Sequence, residues 1–277
     1  MTLETVSKGL LETVSKALPE GRATGADFLN PSYNPDLPLF TDSQLSVTFI
    51  DEGAGYRNSL GYYAYADGAF DGLTKGDVDT DGSGVVSLEE LLAVESVEAD
   101  YVFPNASKKR AGGRLLTGNT VLLNDGATFD AETTVGFFLT QNGWTGSDVR
   151  ASWNGGDVQT MFTTDFLNPE AAATATTETN SSIDNSRHTA MLFSSGAQNE
   201  VILGFEDLNR IDSGSNAYGY RTDEDFNDAV FIVNATASDA FKEAEIATAP
   251  AAIPGNLLSS IIALSVFGFG YRRRSQS

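Results

Sequence analysis

Seven short apolar runs, parted by stretches rich in Gly, Asn and Asp, limit most narrowly what this chain can become. They are LSVTFI (45–50), LGYYAY (60–65), NTVLLN (119–124), TTVGFFLTQ (133–141), HTAMLF (188–193), NEVILGF (199–205) and NDAVFIV (227–233). Each has the length of a strand, and most are rich in β-branched or aromatic residues. Little helical pattern lies between them, so antiparallel pairing is expected. The expected fold class is mainly β, an antiparallel β-sandwich or jelly roll with an N-terminal helix and a short helix after an acidic loop. A chain of 277 residues with 41% hydrophobic content can bury such a core.

Outside these runs the chain divides readily. Leu3, Val6, Leu10, Val14 and Leu18 fall at helical spacing across a duplication, LETVSKGL (3–10) and LETVSKAL (11–18). One amphipathic helix ending at Pro19 is predicted, with no recognisable N-terminal signal peptide. The expected divisions are 1–39, helix and connector; 40–235, the sandwich with an insert at 77–100; 236–252, a linker; and 253–277, a hydrophobic tail. AAATATTETNSSIDNSR (171–187) reads as a long surface loop.

The tail is apolar from Leu257 to Tyr271 and ends on Arg272, Arg273 and Arg274. It is somewhat shorter than the ~20 residues that span a bilayer comfortably, and its arginines suit the cytoplasmic side. It resembles the PEP-CTERM type of C-terminal sorting signal, although AIPGN stands where that type has Pro-Glu-Pro. The resemblance implies an exported protein, extracellular or at the cell surface, tethered to the membrane through this segment.

Charge narrows the partners. With 17 basic and 38 acidic residues the net charge is −21, which repels nucleic acid and anionic lipid and suits divalent cations. The absence of cysteine excludes disulfides, thiolate zinc sites and iron–sulfur clusters. The one histidine, His188, excludes any site that needs two imidazoles, and its place at the start of an apolar run reads as structural.

Two acidic constellations carry the chemistry. DTDGSGVVSLEE (79–90) fits the twelve-residue EF-hand loop. Asp79, Asp81 and Ser83 take positions 1, 3 and 5, and Gly84 makes the turn at position 6. Val85 offers its carbonyl at 7, while Ser87 and Glu90 take 9 and 12. Val86 is expected to tack the loop onto the core. A helix over SLEELLAVESV should follow, whereas DGAFDGLTKGDV is too broken by glycine for an entering helix, so the loop resembles a single dockerin-like calcium loop. The second constellation brackets IDSGSNAYGYRT: VILGFEDLNR (201–210) and DEDFNDAVFIV (223–233) should form a hairpin, with Glu206 and Asp207 facing Asp223, Asp225 and Asp228. So many carboxylates destabilise one another unless a cation such as Ca2+ joins them. Asp225 and Asp228 are the strongest candidates, while Asp223, Glu224 and Asn227 can also be solvated. Glu52, in IDEGAGYRN (50–58), is a weaker candidate, since an acidic turn held by Arg57 explains it equally well.

GFEDLNR…DEDFNDAVF resembles the signature of the bacterial domain-of-unknown-function family 4114, met in LruC-type exported proteins. Softer similarity lies at 47–65, 103–107, 133–144 and 187–193, so that the resemblance spans most of residues 40–235. It implies a β-rich, calcium-associated module without established enzymatic activity. The expected function is therefore a non-enzymatic, calcium-stabilised structural or adhesion module of the cell surface, with surface glycans or other surface proteins as partners. The alternative is a calcium-dependent carbohydrate-binding module using Trp144, Tyr218 and Tyr220. A hydrolase with Asp225 and Glu206 as acid and base is a third reading, without support from any G-x-S-x-G elbow or phosphate-binding loop.

Overall fold

The computed structural model describes residues 1–29, 34–153, 156–177, 186–193 and 198–241. Along the chain run β1 (Thr2–Leu3), α1 (Lys8–Ala17), β2 (Leu37–Pro38), β3 (Leu45–Asp51), β4 (Ser59–Ala66), α2 (Lys75–Val78), α3 (Leu88–Ala93), β5 (Glu98–Phe103) and β6 (Asn119–Leu122). After them come β7 (Thr133–Thr140), β8 (Ser152–Trp153), β9 (Gly156–Asp157), β10 (Thr160–Phe162), β11 (Thr189–Phe193), β12 (Glu200–Phe205) and β13 (Ala229–Ala235). Every pairing between these strands is antiparallel, in a six-stranded sheet ordered β1-β6-β3-β13-β12-β11 and a second sheet ordered β10-β7-β4-β5, with β2 also on β7. The molecule is thus mainly β, as expected, and a two-residue ribbon β8-β9 stands apart.

Alternation sorts side chains into three apolar layers. Val47 and Phe49, Leu203 and Phe205, and Phe231 and Val233 face Leu60, Val135, Phe137 and Leu139 of the other sheet, and Phe137 meets Phe231 at a centroid separation of 5.0 Å. Burying one such ring contributes about 1.5–3 kcal/mol. The opposite face of the first sheet, with Ile202, Val230 and Ile232, is covered by Leu10, Val14 and Leu18 of the N-terminal helix region. The opposite face of the second sheet, with Tyr63, Phe138 and Phe162, is covered by Val78, Val86 and Leu91 of the acidic insert. Strands buried on both faces explain why runs such as VFIV are continuously apolar rather than alternating.

Four expectations about local structure need correction. The N-terminal helix begins at Lys8, not near Leu3, because the Ser7 side chain accepts from Leu10 N–H as its cap, while Thr2 and Leu3 pair with Thr120 and Asn119. The helix after the acidic loop stops at Ala93; Ser96 turns at φ 66°, and the chain leaves as β5 along β4. An entering helix does exist: α2 is one turn long and is closed by a Thr74–Asp77 capping box. The 171–187 loop is not simply a surface loop, since Ala171, Ala175, Ser186 and Arg187 are buried; its residues 178–185 lie outside the described residues. At the end of the sandwich, Ala240 and Phe241 are still packed in the core, with Phe40 N–H on Ala240 O. The rest of the expected linker and the tail at 253–277 lie outside the described residues, among which no helix is long and apolar enough to cross a membrane.

Candidate metal centres

The loop at 79–90 is held by its own backbone. Gly82 and Gly84 adopt φ of 71° and 86°, left-handed values that glycine supplies without a Cβ clash. This lets Gly84 N–H donate to Asp79 Oδ2 at 2.9 Å and Ser83 N–H donate to Asp81 Oδ1 at 2.8 Å. Glu90, in the first turn of α3, accepts from Thr80 N–H at 2.8 Å and from Ser87 N–H at 2.9 Å. Ser87 caps the helix by accepting from Glu90 N–H, and the Ser83 hydroxyl donates to Val85 O. Val86 is fully buried beneath the loop.

Carboxylate oxygens of Asp79, Asp81 and Glu90 all lie within 4.8 Å of one another. Two ligands on opposite sides of a Ca2+ ion, each about 2.4 Å away, are separated by about that distance. Asp79 Oδ1 is buried without a hydrogen-bond partner, so the donor set fits a hard cation. Lys75, which sequence reasoning missed, anchors this loop from below. Its buried ammonium donates to Gly84 O, Asn168 O, Pro169 O and Ala171 O at 2.9–3.1 Å. Burial lowers its pKa, although Asp79 and Glu170 act against this. Only the fold reveals its role, because the carbonyls from 168 to 171 are remote in sequence.

The second centre is assembled at the end of the β12–β13 hairpin, where Phe205 pairs with Ala229. Glu206 and Asp207 leave β12, and Asp228 stands just before β13. All three are nearly sealed from solvent, at 0%, 2% and 8% exposure, and their carboxylate oxygens lie within 4.8 Å of one another. Asp225 is also buried, whereas Asp223 is exposed. These two lie within the same distance of Glu206. The fold therefore brings together all five residues expected at this end.

Few donors reach these acids. Asp228 Oδ2 accepts from Asp207 N–H at 2.9 Å, and Asp207 Oδ2 accepts from the Asn58 side-chain amide. Asp225 accepts from Gly21 N–H at 2.7 Å and from Asn227 N–H at 3.2 Å, while Glu206 Oε1 accepts from Leu208 N–H at 3.2 Å. Glu206 Oε2 is buried without a partner. Burial pushes the Asp207 carboxyl to about 7, against the hydrogen bond from Asn58, and pushes Asp225 to about 6. Glu206 and Asp228 stand well above the usual carboxylate range, first through burial and then through their acidic neighbours. Arg210 pairs with Glu224, Arg187 with Asp165 and Lys108 with Asp51. A buried group of carboxylates so short of donors suits a hard cation.

Side chains remote in sequence hold the hairpin end in place. His188 is fully buried, with Nδ1 2.9 Å from Glu206 O and Nε2 3.0 Å from Glu170 Oε2. Gln141 donates to Asp207 O at 2.6 Å and to Asn216 Oδ1 at 2.9 Å, and accepts from Ala217 N–H. Through it the loop carrying Tyr218 and Tyr220 is fixed to Asp207. Both tyrosines are exposed, at 67% and 61%, and both stack on Tyr56 at 5.8 and 6.0 Å. Trp144 is half-buried. Glu52 is buried, with Oε2 accepting from Lys108 N–H at 3.0 Å and Oε1 unpartnered, but it belongs to neither carboxylate group. Asn58 and Gln141 carried no sequence signal, since each reads as an ordinary polar residue beside a strand.

No curated protein and no solved structure matches the chain. Residues 129–236, which hold β7 to β13 and every carboxylate of the hairpin-end centre but not the loop at 79–90, match the model of the family described as Domain of unknown function (DUF4114).

Proposed function

We propose that the chain is a calcium-stabilised, non-enzymatic module with a structural or adhesive role at the cell surface. The observation that carries this reading is the burial of Glu206, Asp207, Asp225 and Asp228 at one hairpin end, where their hydrogen-bond donors are uncharged and Glu206 Oε2 has no partner. Leaving buried charges unpaired costs several kcal/mol per ion, and a cation with about 6–8 oxygen ligands offsets that cost. The loop at 79–90 supplies a second ion that ties the insert to the outer face of the second sheet. Surface location rests on the resemblance of the tail to sorting signals. Chelation followed by thermal melting tests the reading: EDTA should lower the melting temperature and excess Ca2+ should restore it. An unchanged melting temperature would remove the ground for calcium altogether.

A second reading, a calcium-dependent carbohydrate-binding module, is favoured by the exposed Tyr218 and Tyr220 stacked on Tyr56. Tyr218 also holds φ 63°, an uncommon conformation for a bulky residue. Glycan binding that vanishes in the Tyr218→Ala/Tyr220→Ala variant while the fold survives would favour this reading over a purely structural role.

A further inference from the structure

The carboxylates at the hairpin end fall into two groups, not one. Oxygens of Glu206, Asp207 and Asp228 converge within 4.8 Å, and so do oxygens of Glu206, Asp223 and Asp225. Glu206 alone belongs to both. The two groups face different surroundings: Asp207 is held by Asn58, just before β4, whereas Asp225 is held by Gly21, just after α1. Glu206 is shared by the two groups with no solvent exposure, and its Oε2 is buried without any hydrogen-bond partner.

We infer that Glu206 bridges two divalent cations, an inner one held with Asp207 and Asp228 and an outer one held with Asp223 and Asp225. This rests on the reading of the hairpin end as a calcium site and adds a second ion to it. Charge favours two ions over one. Five carboxylates with a single Ca2+ keep three uncompensated negative charges in a largely buried space, whereas two ions leave one. The inner group is sealed, and the outer group opens to solvent through Asp223. The ions therefore leave in order, the outer before the inner.

Native mass spectrometry and calorimetric titration of the full chain with Ca2+ test this. An Asp79→Asn/Asp81→Asn background takes the 79–90 loop out of the count. This background should bind two ions; adding Asp223→Asn should leave one, adding Asp228→Asn should leave one, and adding Glu206→Gln should leave none. Should Glu206→Gln fail to fold, the other two variants still decide, because their combination must then lose both ions. A background that binds one ion, lost equally in every variant, overturns the bridge while keeping the hairpin end as a calcium site. A background that binds none overturns both.

Discussion

The two acidic regions use the same residue types and treat them in opposite ways. In the loop at 79–90 a Ser83 N–H holds the exposed Asp81 below the usual carboxylate range. Glu90 is also lowered, since donors from Ser87, Asp81 and Thr80 outweigh its partial burial. At the hairpin end burial dominates, and Glu206, Asp207, Asp225 and Asp228 are all raised. The difference is one of depth. A tight glycine turn points successive amides at acids that stay largely in solvent, whereas at the hairpin end the amides of Asp207, Leu208 and Asn227 reach acids so deeply buried that desolvation outweighs these hydrogen bonds. The loop can therefore hold its shape without an ion, and under the proposed reading the hairpin end is the region that gains more from one.

The largest effect expected is that of chelation on the whole chain. Each ion present at a hundredfold excess over its Kd adds about 2.7 kcal/mol, and a domain of this size shifts by roughly 2–4 °C per kcal/mol. With three ions a fall of roughly 15–30 °C in melting temperature is expected, most of it retained in the Asp79→Asn/Asp81→Asn variant. If that variant loses the calcium response entirely, the contrast between the regions is wrong.

Asp228→Asn should change sign with calcium. The amide oxygen can still accept from Asp207 N–H, and one buried repulsive charge is gone, so the metal-free protein should gain roughly 1–2 kcal/mol. With calcium saturating, the same variant should be less stable than the parent by a similar amount. Paired melts in EDTA and in Ca2+ read both signs at once.

The response to pH sharpens the comparison further. The folded-state values of about 7 for Asp207 and about 6 for Asp225 lie above the ~3.9 of an unfolded aspartate. The stability these groups contribute is present below about pH 4 and is lost as pH rises through 6 and 7. Metal-free protein should therefore melt higher at pH 5 than at pH 8, while stabilisation by calcium should grow over the same range as protons leave the ligands. A metal-free stability that rises steadily with pH would contradict the burial of these acids. The smallest effect belongs to Asp81→Asn in EDTA, whose melting temperature should match the parent's, because that side chain is exposed and its donor can remain.

Much of the scaffold was legible because burial writes its own period into the chain. The seven apolar runs coincide with β3, β4, β6, β7, β11, β12 and β13 to within two residues at each end, and Val86 meets the core where the loop pattern placed it. β5 was not legible. EADYVF follows directly on a helical pattern, and only the open edge of β4, with Tyr101 against Phe138 at 5.5 Å, turns it into a strand. At the candidate sites the carboxylates themselves were legible, since dense acids at facing ends of two apolar runs are a local pattern. Their supports were not. Asn58, Gln141, His188 and Lys75 reach partners 18 to 149 residues away, and no spacing rule carries that distance.

The duplicated LETVSK shows where the division falls. At 11–16 it lies within α1, with Val14 buried against the first sheet. At 3–8 only the last of the same six residues is helical, because Leu3 pairs with Asn119 and Glu4 N–H donates to Gly118 O. Sequence alone determined the β class, the acidic loop and the hairpin with its carboxylates, since each depends on neighbours along the chain. Tertiary structure decided which copy of the repeat became helix and how deeply the hairpin acids were buried. Helix propensity amounts to a few tenths of a kcal/mol per residue, and packing against a sheet face or an open strand edge outweighs it.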